Sequence, residues 1–209
     1  MSALQHAWLG HYEISSTTCT GLNFARHSHD ECVIGVNLVG EEKVWLDRRE
    51  FEAGPGSITL YNPGQIQGGG AADGAPWQFV SLYVTADQLA NDLGLTHLEF
   101  DRSLCFQPDL AQRLAAAVKG ALSSDALLRE LSEDALVLLL GDVVSLSGVR
   151  VPSGNTMRLL PALSDRTQSS SKPAPSPLVM KPAARMGPRV KGLRDNCALT
   201  MQSAWRTKE

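Results

Sequence analysis

Apolar and polar positions alternate differently in different parts of the chain. Up to about residue 84 the apolar residues come in short runs, or at every second position, broken by glycine and proline. Residues 11–24 form a first, weak strand region. Val33–Val39 is a nearly continuous apolar run rich in β-branched residues, which fits a buried strand. Lys43–Asp47 alternates, with Val44 and Leu46 on one face, and Asp47-Arg48-Arg49-Glu50 then turns into Phe51. Ser57–Asn62 is a further strand. Pro63-Gly64 and Gly68-Gly69-Gly70 punctuate a short piece at Gln65–Gln67, and Asp73-Gly74-Ala75-Pro76 is a turn. Trp77–Val84 places Trp77, Phe79, Ser81 and Tyr83 on one side, because side chains of an extended chain alternate faces. Six or so short strands at this spacing predict a barrel or sandwich rather than a parallel α/β sheet.

Beyond that point the period becomes helical. Thr85–Leu93 reads as a short helix capped by Thr85 and ended at Gly94. Pro108, in a first-turn position, opens a helix with Leu110, Leu114, Val118 and Leu122 on one stripe. Ser124 or Asp125 caps a longer helix running to about Leu146. Leu127, Leu131, Ala135 and Leu138 recur along it at helical spacing, and Leu128 and Leu139 widen that face. Leu136–Leu140 is apolar all round, so this helix needs cover on more than one side. The strands or the preceding helix supply one cover, and a second subunit the other.

Charge then divides the chain. Residues 149–209 hold eleven Lys and Arg against three acids, a net of +8, whereas residues 1–148 carry −11; the whole is −3. The same segment holds seven of the eleven prolines and the cluster Ser169–Ser171. The composition break near Gly148 marks a boundary: residues 1–148 are one domain, and residues 149–209 a basic, Pro/Ser/Arg-rich, disordered tail. Beyond Met157–Leu163 the tail shows no helical stripe, and its prolines rule out a recognition helix. Either a shift of reading frame after about Gly154 or a natural basic tail accounts for such composition. The four cysteines (Cys19, Cys32, Cys105 and Cys197) form no CxxC pair and read as free thiols, Cys105 as buried packing. No apolar run is long enough for a membrane span, and the N-terminus has no basic head, which places the chain in the cytoplasm.

The candidate chemistry centres on His27-x-His29. Two imidazoles one residue apart in extended chain share a face. They could be half-exposed strand-end residues, line a ligand pocket, or begin a metal site. Gln67 and Ser81 are polar where apolar side chains would pack better, which favours a pocket role for them. Trp77, Phe79 and Tyr83 read as core before they read as a ligand platform. His6 and His11 read as solvated. Walker, Rossmann and HExxH motifs are missing from the sequence.

The order of parts, with His27-x-His29, strands, Gly40, Gly56, Pro63-Gly64-x-x-Gln67, Trp77, Leu82-Tyr83-Val84 and two closing amphipathic helices, resembles the N-terminal ligand-binding and dimerisation domain of AraC-family transcription regulators over about residues 10–148. The resemblance implies a mainly β fold, a cupin-like jelly-roll barrel followed by two or three helices. It also implies a small-molecule effector (a sugar, an amino acid or an aromatic acid) and a homodimer. Metal-binding cupins pair HxH with a later Glu and His, but here those positions are Val33 or Ile34 and Gln67, so no metal and no cofactor is expected. With no acid–base pair, no catalysis is expected either. His27, His29, Gln67, Phe79 and Ser81 are therefore the candidate effector site, and Leu127, Leu131, Ala135 and Leu138 the candidate dimer face. The reading is an effector-sensing, dimerising module whose DNA attraction is weak and non-specific, through the basic tail. The alternatives are a cupin-type metal-dependent enzyme and an interaction protein that forms mixed dimers with full-length regulators.

Overall fold

The computed structural model describes residues 2–148. The boundary at Gly148, the stripe Met157–Leu163 and the basic tail expected above fall on or beyond its edge, and the tail lies outside the described residues. The described chain is mainly β with helices at its C-terminal end. Its strands are β1 (Ala3–Leu9), β2 (Tyr12–Thr20), β3 (Asn23–His27), β4 (Cys32–Val39), β5 (Glu42–Leu46), β6 (Arg49–Ala53), β7 (Ser57–Tyr61), β8 (Gln67–Ala71), β9 (Pro76–Val84) and β10 (Leu104–Phe106). They form two antiparallel sheets, ordered β1-β2-β9-β4-β7-β10 and β3-β8-β5-β6. The helices are α1 (Ala86–Asp92), α2 (Pro108–Ala121) and α3 (Ala126–Ser147). None is long and apolar enough to cross a membrane.

The larger sheet has two working faces. Ile14, Ile34, Val36, Ile58, Leu60, Val80 and Leu82 form one, and they pack with Leu114, Val118, Leu136 and Leu140 of α2 and α3 into the main apolar core. Each such side chain, fully buried, contributes about 1.5–3 kcal/mol. Strict alternation sends the intervening residues (Ser15, Val33, Gly35, Asn37, Thr59, Tyr61, Phe79, Ser81, Tyr83) to the opposite face, toward the smaller sheet. The continuous apolar run in β4 thus serves two layers at once.

Capping follows the sequence closely. Thr85 accepts from the Gln88 backbone N–H at 3.3 Å to start α1. Pro108 opens α2. Of the two candidates for the cap of α3, Asp125 is the one used, accepting from the Leu128 N–H at 3.0 Å. Asn62 clamps the segment before β10, accepting from the Phe100 N–H at 2.7 Å and donating to its carbonyl at 2.9 Å.

Several expectations need correction. The region 11–24 is two strands, β2 and β3, and is preceded by β1, whose mostly exposed residues give no alternating signal. The turn expected over Asp47–Glu50 is tighter. Asp47 and Arg48 alone occupy left-handed backbone (φ 46° and 70°), the pattern of a two-residue hairpin, and Arg49 already belongs to β6. The glycines read as punctuation after Gln67 are strand β8 itself, paired with β3 on one side and β5 on the other. A Cβ at Gly69 would fall on the Lys43 carbonyl oxygen, and one at Gly70 on that of Leu22. Only glycine allows the neighbouring backbones so close. Cys105, expected to be buried, is only partly so.

Candidate functional site

Between the two sheets lies a cavity with about 760 Å³ of empty space, the solvent at its mouth included. The larger sheet supplies Ser15 from β2, Asn37 from β4, Thr59 and Tyr61 from β7, and Trp77, Phe79, Ser81 and Tyr83 from β9. The smaller sheet supplies Phe24 and His27 from β3, Glu42 from β5 and Gln67 from β8. Its position follows from parity: polar and aromatic residues sit at alternate positions of strands whose other face is aliphatic.

Two imidazoles line the cavity. His27 ends β3, and His29 lies in the connection to β4 rather than in a strand, yet both rings reach the cavity. The two Nε2 atoms are 3.0 Å apart, with the rings nearly perpendicular at 85°. His27 Nδ1 donates to the Ala25 carbonyl at 2.7 Å, so that nitrogen carries a hydrogen, and the Nε2–Nε2 contact with His29 shares a single proton. Burial, and next the neighbouring His27, lower the His29 pKa to about 4, which keeps His29 neutral at physiological pH. Its ring also packs on Tyr83, with centroids 5.2 Å apart. Gln67 faces His27 in the β3–β8 register. Among the described residues no three His, Cys, Asp or Glu side chains gather at one point. Two imidazoles alone fall short of the three or four ligands that divalent sites generally use.

Aromatic rings and fixed dipoles make the rest of the wall. Phe24 meets Trp77 and Phe79 edge-on at 6.1 and 6.4 Å, and Trp77 and Phe79 lie 4.2 Å apart. The Trp77 indole N–H donates to Asn37 Oδ1 at 3.0 Å. The Asn37 amide in turn donates to the carbonyls of Gly40, at 3.1 Å, and Ala53, so both halves of this buried side chain are satisfied and the indole is held in place. Thr17, on the same inward face of β2, has a buried hydroxyl with no hydrogen-bond partner among the described residues. Burial raises the Glu42 pKa to about 7. Burial likewise raises the phenols of Tyr61 and Tyr83 well above the ordinary tyrosine range, with help from the Glu42 charge.

All five residues singled out from the sequence, His27, His29, Gln67, Phe79 and Ser81, line this one cavity. Trp77 and Tyr83, read first as core, line it too. Sequence reasoning missed Ser15, Asn37, Glu42, Thr59 and Tyr61. The signal existed for Asn37 and Thr59, lone polar residues inside apolar strands. Glu42 sits at a strand start, where a charge is unremarkable. His6 and His11, expected to be solvated, are exposed, and each also meets a carboxylate: His6 Nε2 lies 2.6 Å from Glu13, and His11 Nε2 lies 2.7 Å from Asp92. On α3, Leu127, Leu131 and Leu138 stand 65%, 59% and 75% exposed, and Ala135 is partly buried, while Leu139 turns into the core.

Residues 12–140 match the profile of the AraC-like ligand binding domain, well over half of the chain. The chain belongs to this family. Solved cupins resemble the AraC-like domain more distantly. One is an RmlC-like cupin with a double-stranded β-helix fold from Methanocaldococcus jannaschii, 14% identical, TM-score 0.38, matched over 44% of this chain and 86% of that one. Another is a cupin superfamily protein from Desulfitobacterium hafniense, 11% identical, TM-score 0.37, over 41% and 78%. A further solved structure, AerE from Microcystis aeruginosa, is 13% identical, TM-score 0.42, matched over 50% of this chain and 46% of that one. No curated protein matches the chain.

Proposed function

We propose that this AraC-like domain senses a small organic effector in the cavity between its sheets and pairs with a second copy through α3. The observation that carries the reading is the cavity itself. A well-packed β-sandwich fills its interior with aliphatic side chains, but here the main aliphatic core lies on the other side of the larger sheet, and only the smaller cluster of Val33, Val44, Leu46 and Ala53 lies between the sheets. The interior instead gathers Ser15, Thr59, Gln67 and Ser81 among aromatic rings, the mixture of apolar walls and a few oriented polar groups that small-molecule sites use. The cavity offers binding groups rather than a nucleophile paired with a base, which favours sensing over catalysis.

A thermal-shift screen with sugars, amino acids, aromatic acids and amines tests the effector role, because a ligand of the native state raises apparent stability. At least one class should raise the melting temperature of the natural chain. The same compound should do nothing for Ser81→Phe, whose added ring occupies the cavity. Equal shifts in both proteins would place binding elsewhere and sink the proposal.

A further inference from the structure

The cavity's electrostatics narrow the kind of molecule it takes. Among the described residues that line it there is no Lys or Arg, and Glu42 is the one carboxyl group. Glu42 shares the inward face of β5 with Val44 and Leu46, which are buried against Val33, Ala53 and Tyr61. Among the described residues its carboxylate takes part in no ion pair and no side-chain hydrogen bond. An ionised carboxylate in such surroundings is costly unless something compensates it. His29 offers no compensating charge, since it stays neutral at physiological pH. Other acids reinforce the sign: Glu13 stands opposite Tyr83 in the β2–β9 register, and the charges of Glu13 and Glu31 both act on Tyr83. Residues 1–148 as a whole carry −11.

We infer, building on the reading of the cavity as an effector site, that the effector presents a cationic nitrogen to Glu42 and lays an apolar or aromatic body against Phe24, Trp77 and Phe79. A protonated amine supplies the charge and the donors that Glu42 lacks, and the faces of Trp77 and Phe79 favour a cation nearby as well. An aromatic acid would bring a second carboxylate toward Glu42, with no arginine or lysine among the described lining residues to meet it. A sugar would leave the charge uncompensated. The negative surroundings also draw a cation toward the mouth.

Three probes with one body and different heads separate these possibilities: phenethylamine, 2-phenylethanol and phenylacetate, titrated by calorimetry or NMR into the full chain and into Glu42→Gln. Phenethylamine should bind at least about tenfold more tightly than the other two, the worth of one hydrogen bond to a charged group. In Glu42→Gln it should fall to the level of 2-phenylethanol, while that alcohol binds both proteins alike. Loss of binding for all probes in Glu42→Gln would signal damage to the cavity, so Glu42→Asp serves as the second variant and should retain the preference for the amine. If phenylacetate binds as well as phenethylamine, or if the amine is indifferent to Glu42→Gln, the inference is overturned while the effector cavity stands. If none of the three binds, and Ser81→Phe behaves like the natural chain in the thermal-shift screen, both readings fall together.

Discussion

Glu42 is held in the cavity at a measurable cost to the fold. Its carboxyl ionises near pH 4.5 in an ordinary setting and at about 7 here, because burial penalises the charged form, and the phenols of Tyr61 and Tyr83 face the same charge. A carboxyl whose folded pKa is raised leaves stability untouched below the unfolded value and subtracts from it as pH rises toward the folded value. The penalty therefore grows between pH 4.5 and 7 and is complete above that window, about 3 kcal/mol. Glu42→Gln should stabilise the ligand-free domain by roughly that amount at pH 8 and by almost nothing at pH 4, read from urea midpoints at the two pH values. A pH-independent difference would mean that the side chain acts through packing alone. A residue that weakens the empty fold yet faces a cavity is what a binding site retains.

At the scale of elements, α3 divides its leucines between two duties. Leu136 and Leu140 are fully buried against α2 and the larger sheet, whereas Leu127, Leu131 and Leu138 face outward on the same helix. Close approach to α2 occurs where Gly120 meets Ser132, since a Cβ at Gly120 would overlap the serine hydroxyl. Leu136→Ala should cost about 2–5 kcal/mol through lost packing and a cavity. Leu138→Ala should cost almost nothing in a monomer. Leu131→Glu combined with Leu138→Glu should leave the fold intact and drive the protein to a monomer by light scattering. A natural chain that is already a strict monomer at high micromolar concentration would refute the pairing role. These helices were legible in the sequence because caps, Pro108 and an apolar stripe all agreed. Strands β2, β4, β7 and β9 were legible in outline from their parity and β-branched runs. Strand β1 was not, because an exposed edge strand buries nothing that would set a pattern. Strand β8 was not, because Gly68-Gly69-Gly70 carries no side-chain pattern and its strand character comes wholly from the backbones of β3 and β5. His29 reached the cavity although it belongs to no strand, so the parity argument that selected it found the right place for a reason that applies only to His27.

For the whole molecule, the charge is split between segments that act oppositely on a polyanion. Residues 1–148, which hold the AraC-like domain, carry −11 and should be repelled by phosphate; residues 149–209 carry +8. Attraction to DNA in this chain must then come from the basic segment, by release of condensed counterions, and should be blind to base sequence. The full chain should bind a duplex and its scrambled counterpart with affinities that differ less than about tenfold, or 1.4 kcal/mol. Its log–log salt slope should be no steeper than about −7, the value for eight neutralised phosphates. A chain ending at Gly148 should show no attraction at any salt concentration. Anisotropy titrations of both proteins against both duplexes, from low to physiological salt, read all of these quantities at once. A preference for one duplex beyond tenfold would require side chains held against base edges in a groove. That result would assign residues 149–209 a folded recognition role that their proline-rich sequence argues against.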